Sequence, residues 1–144
     1  MPAANDRIPI YTGAASTTGG DHPFAGKTAA AARSLNRARI EALPDTVIDR
    51  DILGHTAAEL LSARAWRELI RQTPGSLNLE PDDSHLFFDF NERLDDPATR
   101  KEACHLAERM GRRLGYLLLM LARGDVANRE ARPEWSEVHW AYWR

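Results

Sequence analysis

The stretch from 98 to 122 constrains this chain more than any other. Ala103, Leu106, Ala107, Met110, Leu114, Leu117, Leu118 and Leu121 recur at three- and four-residue spacing, the period of one helix face. Pro97 suits a first helical turn, and Gly124 supplies a C-terminal cap. From Tyr116 to Ala122 the chain is apolar all round, which predicts burial on most sides. A helix of ~25 residues is roughly 37 Å long, so a small domain has to be assembled along it.

The same helix carries Ala103, Ala107, Gly111 and Gly115 at intervals of four, a flat stripe without bulky side chains. Each interior glycine costs ~1 kcal/mol relative to alanine. The stripe is therefore expected to be a close-packing face, held against another helix or a sheet; a ligand or nucleotide lying on it is the functional alternative. Arg109, Arg112 and Arg113 exclude a membrane-embedded dimer.

Three further helices are expected. Residues 28–43 combine the helix-favouring Ala29 to Ala32 with Leu35, Ile40 and Leu43, and Pro44 stops them. Residues 57–72 place Leu60, Leu61, Trp66, Leu69 and Ile70 on one face behind Thr56 and Glu59, which have capping-box spacing. Thr73-Pro74-Gly75 ends that helix. A short helix is expected near 134–143, with Ser136 as its cap. Two short strands are expected, at 8–11 and at the aromatic run 85–90. Glycines, prolines and Ser16-Thr17-Thr18 mark 1–26 as a loop-rich segment, leaving 27–144 as a single helical domain. The fold class is mainly α with one or two short strands, or a partial α/β lobe. The core is expected at Leu114, Leu117, Leu118, Leu121, Trp66, Leu69, Phe87 and Phe88.

The 19 Lys+Arg are offset by 21 Asp+Glu, which excludes a strongly basic nucleic-acid binder. Seven acidic residues fall between Glu80 and Asp96, a solvated face or a loop lying on a basic helix. The single cysteine, Cys104, excludes a disulfide framework and reads as a small buried group. No apolar run is long enough to span a membrane, and the N-terminus has no secretory pattern, so a cytoplasmic protein is expected. His22, His55, His85, His105 and His139 show no metal-ligand spacing, and no G-x-S-x-G nucleophile elbow occurs. No catalytic residue or cofactor can be named.

Gly26-Lys27-Thr28 opens a helix after a glycine-rich loop and is a candidate anion site. The first glycine of a P-loop would stand at position 21, which is Asp21, so the phosphate-loop spacing fails. Trp135, Trp140 and Trp143 lie within nine residues near Arg144. Indole rings of that size want a cover, so they are a candidate partner surface for a protein or a further chain segment.

The segment Ala107-Glu108-Arg109-Met110-Gly111-Arg112-Arg113-Leu114-Gly115-Tyr116-Leu117-Leu118-Leu119 resembles a C-terminal-lobe helix of the actin-like sugar kinases, the ROK group in particular. The resemblance covers about 15 residues. It implies that Gly111 and Gly115 pack tightly within a lobe and that Trp135 to Trp143 cover the helix end. The D-x-G-x-T phosphate loop, the G-x-D-x-N catalytic segment and the downstream glycine-rich loop of such kinases do not occur in the sequence. The resemblance therefore implies a partial lobe, incompetent for phosphoryl transfer alone. The alternative is a small helical protein-interaction module that uses the tryptophan surface.

Overall fold

The protein is described from a computed structural model over residues 34–73, 75 and 77–144. The expected loop-rich segment 1–26, the strand at 8–11 and the Gly26-Lys27-Thr28 anion site lie outside these residues. The fold is mainly α. Two 3₁₀ turns, Leu35–Arg37 and Arg50–Ile52, precede α1 (Ala57–Leu61), α2 (Ala63–Gln72), α3 (Leu86–Asp95), α4 (Arg100–Arg123), α5 (Val126–Glu130) and α6 (Glu137–Ala141). Extended pairing among the described residues is limited to an isolated antiparallel bridge, Arg39 with Thr56.

The long helix α4 organises two apolar clusters. Its first half buries Ala103, Leu106 and Met110 against Leu69, Ile70, Leu77, Leu86 and Phe90, with Trp66 packed alongside. Its second half buries Leu117, Met120 and Leu121 against Ala38, Ile40, Ile52, Ala57, Leu60, Trp135 and Trp140. Leu61 touches both clusters. Each buried Leu or Ile contributes on the order of 1.5–3 kcal/mol of burial free energy. Gly124 ends α4 in the left-handed region at φ 54°, and its N–H donates to the Met120 carbonyl.

The expected helix over 57–72 is two helices. Ser62 leaves the helical region at ψ 166°, so it closes α1 and its hydroxyl accepts the Ala65 N–H at 3.2 Å to start α2. The Thr56–Glu59 capping box forms as its spacing implies: Glu59 accepts the Thr56 N–H at 2.7 Å.

Two expected elements take another form. The described part of 28–43 has only the turn Leu35–Arg37; Ala38 to Ile40 is extended. Ala38 and Ile40 are both fully buried, two residues apart, and the backbone pairs with 54–57 through Ile40 N–H to His55 O and Ala57 N–H to Ala38 O. A helix here would bury one of the two side chains and leave those donors without these partners. The aromatic run 85–90 is not a strand but the start of α3. Leu86 and Phe90, one helical turn apart, are buried, and Phe90 packs edge-on to Trp66 at 5.1 Å. Phe87 and Phe88 point outward, 46% and 68% exposed, and so leave the predicted core.

The three C-terminal tryptophans close the molecule. Trp140 and Trp135 are buried, and Trp135 meets Trp140 edge-on at 5.2 Å and stacks on Trp143 at 6.5 Å. Ser136 caps α6 with His139 as its reciprocal partner. Arg132, 1% exposed, lies 4.2 Å above the Trp135 ring and donates to the Ser34 carbonyl at 2.6 Å. Burial pushes its guanidinium pKa down.

Candidate functional site

The predicted close-packing face divides along α4. Ala103 is fully buried, and Ala107 packs at the edge of the first cluster. Gly111 and Gly115 are exposed, and a Cβ built on either would meet nothing within 4 Å among the described residues. They therefore do not lie against another element of the described chain. The reason is rotational. The buried side of α4 runs through Ala103, Leu106, Met110, Leu117 and Leu121, and Gly111 and Gly115 sit roughly a quarter turn or more away from its centre.

What surrounds the two glycines is apolar. Leu114 is 47% exposed, Leu118 48% and Leu119 38%, so Leu114 and Leu118 also leave the predicted core. Ala122 and Cys104 lie on the same exposed side, which corrects the expectation of a buried cysteine. Between Cys104 and Ala122 this side carries the ionised pair Glu108 and Arg112, bridged to each other at 3.2 Å. The result is a leucine ridge beside a glycine notch, open to water over about 27 Å of helix.

Polar chemistry collects on the flank of α4. Asp49, from the loop before the second 3₁₀ turn, accepts from Arg112 Nε at 2.8 Å and from the Tyr116 hydroxyl at 3.2 Å. The hydrogen bond that Arg112 donates to Asp49 raises the Arg112 pKa, whereas burial lowers that of Arg113. Burial, then the Asp49 charge, raises that of the Tyr116 phenol. Arg113 donates to the Leu60 carbonyl at 3.3 Å, tying α4 to the end of α1. The groove between Asp49, Asp51, Arg109, Arg112 and Arg113 has a volume of about 80 Å³. Small-molecule sites occupy ~300–1,000 Å³, so this is a structural ion-pair cluster rather than a substrate pocket. It adds a polar tie on the flank of α4 to the apolar packing that orients the helix.

A larger open groove of about 510 Å³ runs along α1 and α2 past His55, Glu59, Arg64 and Glu68. Its best-placed carboxylate, Glu59, is engaged in the capping box. Among the described residues no group of three or more His, Cys, Asp or Glu is placed to hold a metal ion, and no helix is long and apolar enough to cross a membrane.

The tryptophan surface differs from its expected role. Trp135 and Trp140 are interior, in one buried cluster with Leu117, Met120 and Leu121 of the same chain. The cover that these two rings require is supplied from within, whereas Trp143 is partly buried. Sequence reasoning missed the open leucine face because spacing alone placed Leu114 and Leu118 in the core; the neighbouring Gly111 and Gly115 were the available signal. Compared with known proteins, the chain matches no family model, no curated protein and no solved structure.

Proposed function

We propose that the chain is a helical protein-interaction module whose docking surface is the water-facing side of α4. The observation that carries this reading is the joint exposure of Leu114, Leu118 and Leu119 beside Gly111 and Gly115, with nothing among the described residues within 4 Å of either glycine's Cβ position. Two glycines in a helix interior cost about 1 kcal/mol each, and a contiguous apolar face held in water favours association. The rest of α4 is fixed by two clusters and the Asp49 anchor, so the face is presented on a rigid element.

The test places a photo-crosslinking residue at Leu118, and in a control at the exposed Arg64 of α2, in cells that express the protein. A discrete adduct from position 118 and none from position 64 is expected. Equal labelling at both positions, or none, overturns the reading.

A partial lobe of an actin-like kinase is the second reading. In its favour, Trp135 and Trp140 lie over the second half of α4, as the resemblance implies. Against it, Gly111 and Gly115 face water. The same experiment separates the two: an adduct partner carrying a D-x-G-x-T phosphate loop supports the kinase lobe, and any other partner removes it.

A further inference from the structure

We propose that the occupant of the α4 face is a second copy of this chain, docked antiparallel about a two-fold axis that crosses the helix midway between Gly111 and Gly115. The inference rests on the docking reading above and adds the identity of the partner.

Shape is the first argument. A side chain from a packed helix enters a hole bounded by residues i, i+3, i+4 and i+7 of its neighbour. In an antiparallel pair centred at position 113, Leu114 of one copy enters the hole bounded by Glu108, Gly111, Arg112 and Gly115 of the other. Leu118 enters the hole bounded by Cys104, Ala107, Glu108 and Gly111. The glycines thus floor the two holes that receive the exposed leucines, and both ridge and notch lie on one surface of one helix. A surface that complements itself in this way is what an isologous two-fold contact requires.

Charge selects the direction. A parallel pair would set Glu108 against Glu108 and Arg100 against Arg100, with the helix dipoles aligned. The antiparallel pair opposes the dipoles. It also brings the exposed Lys101 of one copy to Asp125 of the other, where the carboxylate already holds Arg123 at 2.9 Å. The side chains that enter the holes, Leu114 and Leu118, are apolar, and the charged groups that border them, Glu108 and Arg112, are already paired with each other at 3.2 Å. A contact along ~27 Å of helix buries roughly 1,000 Å² in total, the lower edge of stable interfaces, so a concentration-dependent dimer is expected.

The experiment is sedimentation of the full chain over a wide concentration range, followed by oxidative crosslinking. Wild type is expected to dimerise. Leu118→Glu, at a half-exposed position, is expected to weaken the dimer more than about tenfold, with its circular dichroism unchanged. Under oxidation Ala122→Cys should form a covalent dimer, because Cys104 of each copy faces position 122 of the other. Wild type and the double variant Cys104→Ser, Ala122→Cys should not. Intramolecular closure is excluded, since the two positions are about 27 Å apart on one helix and a disulfide needs Cα atoms within ~7 Å. Crosslinking of wild type through Cys104 alone would overturn the antiparallel register. A monomer at every concentration, or a dimer that Leu118→Glu leaves intact, would overturn the second copy as occupant. An in-cell adduct at position 118 with a different protein would remove this inference while leaving the docking reading standing.

Discussion

The Asn128 side chain pairs in both directions with the backbone of Ala42: Oδ1 accepts the Ala42 N–H at 2.9 Å, and Nδ2 donates to the Ala42 carbonyl at 2.9 Å. Oδ1 also accepts the Glu41 N–H at 2.8 Å. Asn128 is 1% exposed, so one side chain of α5 does for the extended segment what a neighbouring strand would do in a sheet. Asn128→Ala should cost about 2–3 kcal/mol, because it strands buried backbone groups. Asn128→Asp keeps the acceptor but turns a carboxylate toward the Ala42 carbonyl. Its folded-state pKa should lie above its unfolded value, so the deficit relative to wild type should shrink as pH falls toward that unfolded value. Urea denaturation at neutral and mildly acidic pH measures both effects.

Adjacent leucines on α4 should respond very differently to substitution. Leu117 is 4% exposed and sits among the tryptophans, so Leu117→Ala should destabilise by about 2–5 kcal/mol. Leu118 is 48% exposed, so Leu118→Glu should change the stability of the isolated monomer by no more than about 0.5 kcal/mol. Chemical denaturation at a protein concentration low enough to hold the monomer makes the comparison.

Gly111→Ala should stabilise the monomer by about 0.5–1 kcal/mol, since its Cβ enters open space and the helix interior favours alanine. The same methyl fills the hole meant for Leu114, so the variant should dimerise more weakly than wild type. A gain in monomer melting temperature with a loss in association is the expected pair of results. A gain in both would remove the packing role assigned to the glycine.

Glu59 supplies a pH-dependent element. Hydrogen bonds from the Thr56 backbone, then from its hydroxyl, hold its pKa below the ordinary glutamate range. A depressed folded-state pKa contributes stability that is present above the unfolded value and is lost as pH falls through the folded one. Amide exchange in the first turn of α1 should therefore quicken as pH drops through that acidic window, after correction for intrinsic exchange. Glu59→Gln should remove most of this dependence.

The local signals in the sequence translated directly. Thr56 and Glu59 formed the capping box, Gly124 the left-handed cap and Ser136 the start of α6, because each depends on residues within one turn. The long helix was legible for the same reason. Its orientation was not: α4 carries apolar residues on two sides, and periodicity weights Leu114 and Leu118 like Leu117 and Leu121. What decides between the sides is packing from elsewhere in the chain, including the tryptophans that follow the helix, with Asp49, 63 residues away in sequence from Arg112, adding a polar tie. The run His85 to Phe90 was ambiguous in itself, since a short aromatic stretch fits a strand or one face of a helix. The helix prevails by burying Leu86 and Phe90 against Trp66 and α4. Around Ala38 and Ile40, helix-favouring neighbours were outweighed by pairing with 54–57 and by Asn128, contacts that no local window contains.

Leu61 lies against both apolar clusters, and α4 runs through both. Neither half can melt without releasing its share of one continuous helix, and loosening at either end is felt at Leu61. Trp66 reports on one half, Trp135 and Trp140 on the other. Heated or exposed to denaturant, these indoles should lose their native emission at one midpoint, so that the molecule unfolds cooperatively despite having two interiors.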